Sequence, residues 1–134
     1  MVLVDTNVVS EARRGAREAV SWLNAVDPSS VFISVVTIGE IQRGIVNKQK
    51  RDGRPPSRLI DWLEALQSSY GDRILPIDAP TAVEWGRMSA VMRRPDADGL
   101  IAATALLHGL ALATRNVADF KDTGLTLINP WSLP

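Results

Sequence analysis

The chain begins Val2-Leu3-Val4-Asp5-Thr6-Asn7-Val8-Val9-Ser10, and the same pattern returns as Val31-Phe32-Ile33-Ser34-Val35-Val36-Thr37-Ile38-Gly39-Glu40. In both stretches a short apolar run rich in β-branched residues gives way to polar side chains and then to a helix-like pattern. This is how a buried strand feeding a helix reads. Three more strand signals lie at residues 74–77, 110–114 and 125–128, and helical spacing fills most of the gaps between strands. Such alternation predicts an α/β fold with a central parallel sheet flanked by helices on both sides.

In the first gap Ala19, Val20, Leu23 and Val26 keep helical spacing until Asp27-Pro28 ends the segment. The second holds a helix over about 37–50, a break at Asp52-Gly53-Arg54-Pro55-Pro56, and another helix marked by Leu59, Ile60, Leu63 and Leu66. The two predict a helical hairpin. A helix over 79–92 stops before Pro95, and one over 98–108 ends at Gly109, a residue suited to a left-handed C-cap. With 134 residues, 46% of them hydrophobic, the chain has the size of a single domain over 1–134 with a sizeable core. No linker, repeat or low-complexity tract divides it.

Composition narrows the chemistry. With no cysteine, the chain has no disulfide, zinc-thiolate site or thiol nucleophile, which fits a reducing compartment. The amino terminus has no secretory signal, and no apolar run reaches the roughly 18 residues a membrane span needs. A soluble, cytoplasmic protein that avoids membranes is expected. Fifteen basic residues balance fifteen acidic ones, so no broad positive field attracts nucleic acid. Basic residues nevertheless gather locally, at Arg13, Arg14 and Arg17 and again between Arg43 and Arg58. A solvated helix face and contact with phosphates or an acidic partner both account for such runs.

Asp5, Glu40, Asp98 and Asp119 lie far apart in sequence, yet each stands just past a strand signal or near the start of a helix. In a parallel sheet those positions fall at one edge, where functional residues collect. Carboxylates packed together repel one another unless a divalent cation neutralises them, and oxygen-only ligands favour Mg²⁺ or Mn²⁺. This points to metal-dependent chemistry on phosphate esters. A plainer reading stands beside it for each acid. Asp5 can cap the helix that follows, Thr37-Ile38-Gly39-Glu40 matches a capping box, Asp96 or Asp98 can cap the helix after Pro95, and Asp119 can be a turn residue.

Rival chemistries find little in the chain. The single histidine, His108, sits at a helix C-terminus, where the dipole favours it. No phosphate-binding glycine loop, serine-hydrolase elbow or zinc-protease motif is present. Trp22, Trp62, Trp85 and Trp131 are scattered and read as core or interface anchors. A receiver-type signalling domain also gathers acids, but Asp78 and Lys121 are poorly placed for its phosphorylated aspartate and partner lysine.

Together the stretches 2–10, 34–40, Asp98-Gly99-Leu100-Ile101-Ala102-Ala103-Thr104-Ala105 and Thr114-Arg115-Asn116-Val117-Ala118-Asp119-Phe120 resemble a PIN-domain ribonuclease of the VapC toxin family. Arg73-Ile74-Leu75-Pro76-Ile77-Asp78 and Leu127-Ile128-Asn129-Pro130-Trp131 are most similar to the FitB-type branch. The resemblance covers essentially the whole chain. It implies a PIN domain acting as a Mg²⁺-dependent endoribonuclease, which hydrolyses RNA to 5′-phosphate and 3′-hydroxyl ends. It also implies a homodimer and a cognate antitoxin encoded alongside, with DNA reached only through that antitoxin. Asp5, Glu40 and Asp98 correspond to the core acids and Asp119 to a more variable fourth, with Thr6 and Asn116 as polar assistants. Arg13, Arg14, Arg43, Arg94 and Arg115 are candidates for guiding RNA. The connection Arg93-Arg94-Pro95-Asp96-Ala97 is shorter than FitB-like proteins often carry. The alternative is a catalytically weak PIN-fold module that binds RNA or a DNA-binding antitoxin. In the hairpin, Ile41, Ile45, Leu59, Trp62, Leu63 and Leu66 supply either a groove for an antitoxin helix or core packing.

Overall fold

Alternation along β1 (Val2–Val4) sends Val2 and Val4 to one face of a sheet and Leu3 to the other, and all three side chains are buried. A strand with two buried faces belongs at the centre of a parallel sheet. The computed structural model, which describes residues 1–133, places it there. The sheet runs β3 (Ile74–Leu75), β2 (Val31–Ser34), β1, β4 (Ala111–Ala113), β5 (Leu127–Ile128), and every neighbouring pair is parallel. Strand order reverses between β1 and β4, the switch point beside which doubly wound folds open a crevice.

All five expected strands are present, though three are shorter than expected. β3 stops at Leu75 because Pro76 has no N–H to continue the ladder. In the first gap there are two helices, α1 (Thr6–Arg13) and α2 (Arg17–Ala25), turned against each other at Gly15, whose φ of 87° lies in the left-handed region. α3 (Val35–Asp52) and α4 (Ser57–Tyr70) make the expected hairpin. Ile41, Ile45 and Leu63 are buried between them, so much of the hairpin's apolar surface serves its own packing. α5 (Ala79–Val91) and α6 (Asp96–His108) follow, and Gly109 caps α6 in the left-handed conformation.

Two cores result. Val2, Val4, Val8, Ala19, Trp22 and Ile33 pack beneath α1 and α2 on one face. Leu3, Met88, Ile101, Leu112 and Phe120 pack beneath α5 and α6 on the other. α6 lies so close to α5 that a Cβ on Gly99 would stand 2.9 Å from Cδ1 of Trp85 and 3.0 Å from its Nε1. Two effects oppose each other in Gly99→Ala: helix propensity favours alanine by about 1 kcal/mol, while overpacking against a rigid indole costs about 1–3 kcal/mol. A net loss of about 1 kcal/mol is expected in urea unfolding. At Gly86, where an added Cβ meets nothing within 4 Å, alanine should instead raise stability by about 0.5–1 kcal/mol.

Candidate active site

Asp5 is the first residue beyond β1, at the switch point, and only 5% of it is exposed. Its N–H donates to the Ala113 carbonyl at 2.8 Å, carrying the β1–β4 pairing one residue further. Capping and a place in the site turn out to be compatible, because the two carboxylate oxygens divide the tasks. Oδ1 accepts from the Thr6 N–H at 2.8 Å and caps α1, while Oδ2 accepts from the Thr114 hydroxyl at 2.8 Å and the Asn7 amide at 3.3 Å. Burial pushes the Asp5 carboxyl up to about 6, although the bonds from Thr114 and Thr6 pull it down; the charges of Asp98 and Glu40 push it further up.

Glu40 lies within α3, beyond the first turn, and is no capping-box residue. The cap belongs to Ser34, whose hydroxyl accepts from the Val36 N–H at 3.0 Å. The Thr6 hydroxyl donates to Glu40 Oε1 at 2.6 Å and lies 2.8 Å from the Thr37 hydroxyl. With its proton on Glu40, Thr6 accepts from Thr37, a fully buried residue, so the carboxylate is held through two hydroxyls rooted in the core.

α6 starts at Asp96 with Pro95 at the cap position, so neither Asp96 nor Asp98 provides a side-chain cap. Asp96 is exposed and Asp98 partly buried. Asp119 is exposed on the 3₁₀ segment Val117–Thr123 that follows β4. Burial raises the pKa of Asp98, the charges of Asp119 and Glu40 raise it further, and Arg94 lowers it. Asp5, Glu40 and Asp98 therefore feel one another's charge, and Asp119 is linked to them through Asp98.

This donor set suits a hard divalent cation: it is all oxygen, and its buried member carries charge that burial opposes. Among the described residues no three acidic side chains already converge as a closed metal cage does. An open arrangement of that kind fits Mg²⁺, which keeps several waters and takes only one or two carboxylates directly.

Two residues beyond the sequence-based set emerge. Thr114 Oγ1 donates to Asp5 and accepts from the Asn7 amide at 3.4 Å and the Asn116 N–H at 3.1 Å. Asn7 in turn accepts from the Arg115 N–H at 3.2 Å, which ties the start of α1 to the loop after β4. Asn116 thus enters through its backbone.

Beside Thr6 and Glu40 opens a groove of ≈ 540 Å³ whose lining includes Arg13, Arg14, Lys48 and Arg51 alongside Ile41 and Trp62. Arg13 lies 5.7 Å from the centroid of the Trp62 ring. Arg43 is exposed, with its guanidinium 3.8 Å from Glu40, and Arg115 stacks 4.7 Å from the Trp131 ring. Arg94, one of the arginines expected to guide RNA, has a side chain only 7% exposed and paired with Asp122.

The model of the PIN domain family matches residues 2–124. The protein named Toxin FitB from Neisseria gonorrhoeae is 32% identical, covering 98% of this chain and 99% of that protein. VapC ribonuclease Y4jK from Sinorhizobium fredii is 33% identical over 98% of each. In the crystal structure of FitAcB from Neisseria gonorrhoeae, a chain 32% identical superposes with a TM-score of 0.84 over 99% of this chain and all of that one. The chain belongs to the PIN-domain family.

Proposed function

We propose that this PIN-domain chain is a Mg²⁺-dependent endoribonuclease, with Mn²⁺ as a substitute, and the toxin of a toxin–antitoxin pair. One observation carries the reading: a carboxylate buried at the sheet's switch point, made costly by burial and by two neighbouring acids. Full-length relatives named VapC ribonuclease and Toxin FitB support it. So does structural likeness at 31% identity to a chain in "Structure of FitAB bound to IR36 DNA fragment", which makes a DNA-binding antitoxin the fitting partner. A homodimer and a cytoplasmic location belong to the same proposal. No helix among the described residues is long and apolar enough to cross a membrane.

Asp5, Asp98 and Glu40 would hold the ion, with Asp119 beside it. When bound, Mg²⁺ polarises the phosphate and makes water a better nucleophile near neutral pH. The protein's own part is to fix the geometry: Thr114 and Asn7 orient Asp5, and Thr6 with Thr37 orients Glu40. Arg13, Arg14, Lys48 and Arg51 give the groove beside the acids the charge to attract a phosphate backbone or an acidic antitoxin segment. The reaction is hydrolysis, leaving 5′-phosphate and 3′-hydroxyl ends with no covalent enzyme intermediate.

A mixed RNA pool should be cut in Mg²⁺ and left intact in EDTA. A pool intact under both conditions rejects the nuclease in favour of the binding module. Expression should slow a bacterial host, and co-expression of the neighbouring small gene should restore growth. Thr6→Val keeps the side chain's shape but removes the hydroxyl between Glu40 and Thr37. Loss of an orienting partner of this kind costs about 10–100-fold in metal affinity or activity. A drop of about tenfold in cleavage is expected, with about 1 kcal/mol of stability lost; unchanged cleavage would show that Glu40 needs no such support.

A further inference from the structure

The short connection between α5 and α6 carries Arg94, whose side chain is 7% exposed while its partner Asp122 lies at the surface. One guanidinium nitrogen donates to Asp122 Oδ2, and Nε is buried with no hydrogen-bond partner among the described residues. Holding an arginine head this way is costly unless the structure gains something from the position. The stem runs beside the first turn of α6: Arg94 Cγ lies 3.7 Å from where a Cβ of Gly99, next in sequence to Asp98, would stand. The head reaches the 3₁₀ segment Val117–Thr123, three residues beyond Asp119. One side chain therefore spans the two elements that deliver the third and fourth acids.

We propose that Arg94 is a positioning residue, whose buried bridge from the first turn of α6 to Asp122 sets the spacing of Asp98 and Asp119. The inference rests on the metal-nuclease reading above and adds to it an arginine that touches neither RNA nor ion. A surface ion pair with no such duty contributes little, so removing one end should leave function untouched. A positioning bridge behaves differently, because a displacement of about 1 Å at a reacting centre can cost about a hundredfold in rate.

The test uses the full chain with Asp122→Ala, which removes the acceptor at the exposed end and leaves the buried arginine in place, and Arg94→Lys, which keeps the charge but not the reach. Arg87→Gln breaks the exposed Arg87–Glu84 pair on α5 and serves as control. Mn²⁺ binding is read by titration calorimetry without RNA, and kcat and KM are read on an RNA substrate. Asp122→Ala and Arg94→Lys should each raise the Mn²⁺ Kd about tenfold and lower kcat about ten- to a hundredfold, with KM within twofold. Asp122→Ala leaves a buried charge unpaired and lowers the melting temperature, so both variants are assayed well below it, where circular dichroism shows them folded. Arg87→Gln should match wild type in all of these. If wild type binds Mn²⁺ and cleaves while both variants do the same equally well, the positioning role is overturned and the nuclease reading stands. If wild type binds Mn²⁺ without cleaving, the calorimetry alone decides: weakened binding in both variants supports the bridge and unchanged binding overturns it. A wild type that neither binds nor cleaves overturns both.

Discussion

Asp5→Asn is expected to lower Mg²⁺-dependent RNA cleavage by about three orders of magnitude while leaving the protein folded. The size follows from the chemistry: removing a single preorganised group that stabilises charge in a water-excluded site costs about 10²–10³-fold, and a ligand that anchors the activating ion belongs at the upper end. The fold should survive because asparagine is as good an N-cap as aspartate, so the bond from the Thr6 N–H is kept. The amide oxygen can serve only one of the two roles that the carboxylate divides between Oδ1 and Oδ2, which costs about 1 kcal/mol at the Thr114 and Asn7 contacts. Circular dichroism and gel filtration should match wild type. Cleavage within tenfold of wild type by that folded variant would remove Asp5 from the mechanism.

The architecture was readable because each strand carries its own evidence. Val2-Leu3-Val4 and Val31-Phe32-Ile33 are apolar runs that lead directly into polar helix starts, the pattern of strands in a parallel sheet covered on both faces. Their acids then had to share an edge. Helix starts were less readable, since Thr37-Ile38-Gly39-Glu40 imitates a capping box while the cap is Ser34, three residues earlier. Local pattern cannot distinguish the two, because both offer a hydroxyl before a helical run. The supporting groups were least readable of all. Thr114 lies 109 positions from Asp5 and Thr37 lies 31 from Thr6, so these bonds exist only once the sheet has formed. Arg94 reads as one of several arginines near the acids. Its burial depends on the 3₁₀ turn after β4 supplying Asp122, which sequence places 28 residues away.

The second large effect is a reversal of stability with pH and metal. Asp5 titrates at about 6 in the folded chain against about 3.9 when unfolded. Between those values the folded state holds the proton more tightly than the unfolded chain does. The stability Asp5 contributes is therefore complete below pH ~4 and lost as pH rises through ~6. Two units at about 1.4 kcal/mol each make the loss roughly 3 kcal/mol, and Asp98, raised for the same first reason of burial, shifts stability in the same direction. Exposed carboxylates such as Asp27, Asp52 and Asp78 are lowered, which gives the opposite slope at more acid pH, but they are common to wild type and variant and cancel in the difference. In EDTA at pH 7.5, Asp5→Asn should thus be more stable than wild type by about 2 kcal/mol, the full 3 less the hydrogen-bonding loss. At pH 4.5 the advantage should largely vanish. Mg²⁺ at about 100 times its Kd for wild type adds about 2.7 kcal/mol to wild type at pH 7.5 and much less to the variant, restoring or reversing the order. Urea unfolding of both proteins under the three conditions measures the double difference. A simple helix-cap role for Asp5 predicts neither the pH-dependent gain nor a difference in the Mg²⁺ response, because asparagine caps equally well at every pH. Equal stability of the two proteins in EDTA at pH 7.5, with equal gains in Mg²⁺, would leave Asp5 as a cap and nothing more.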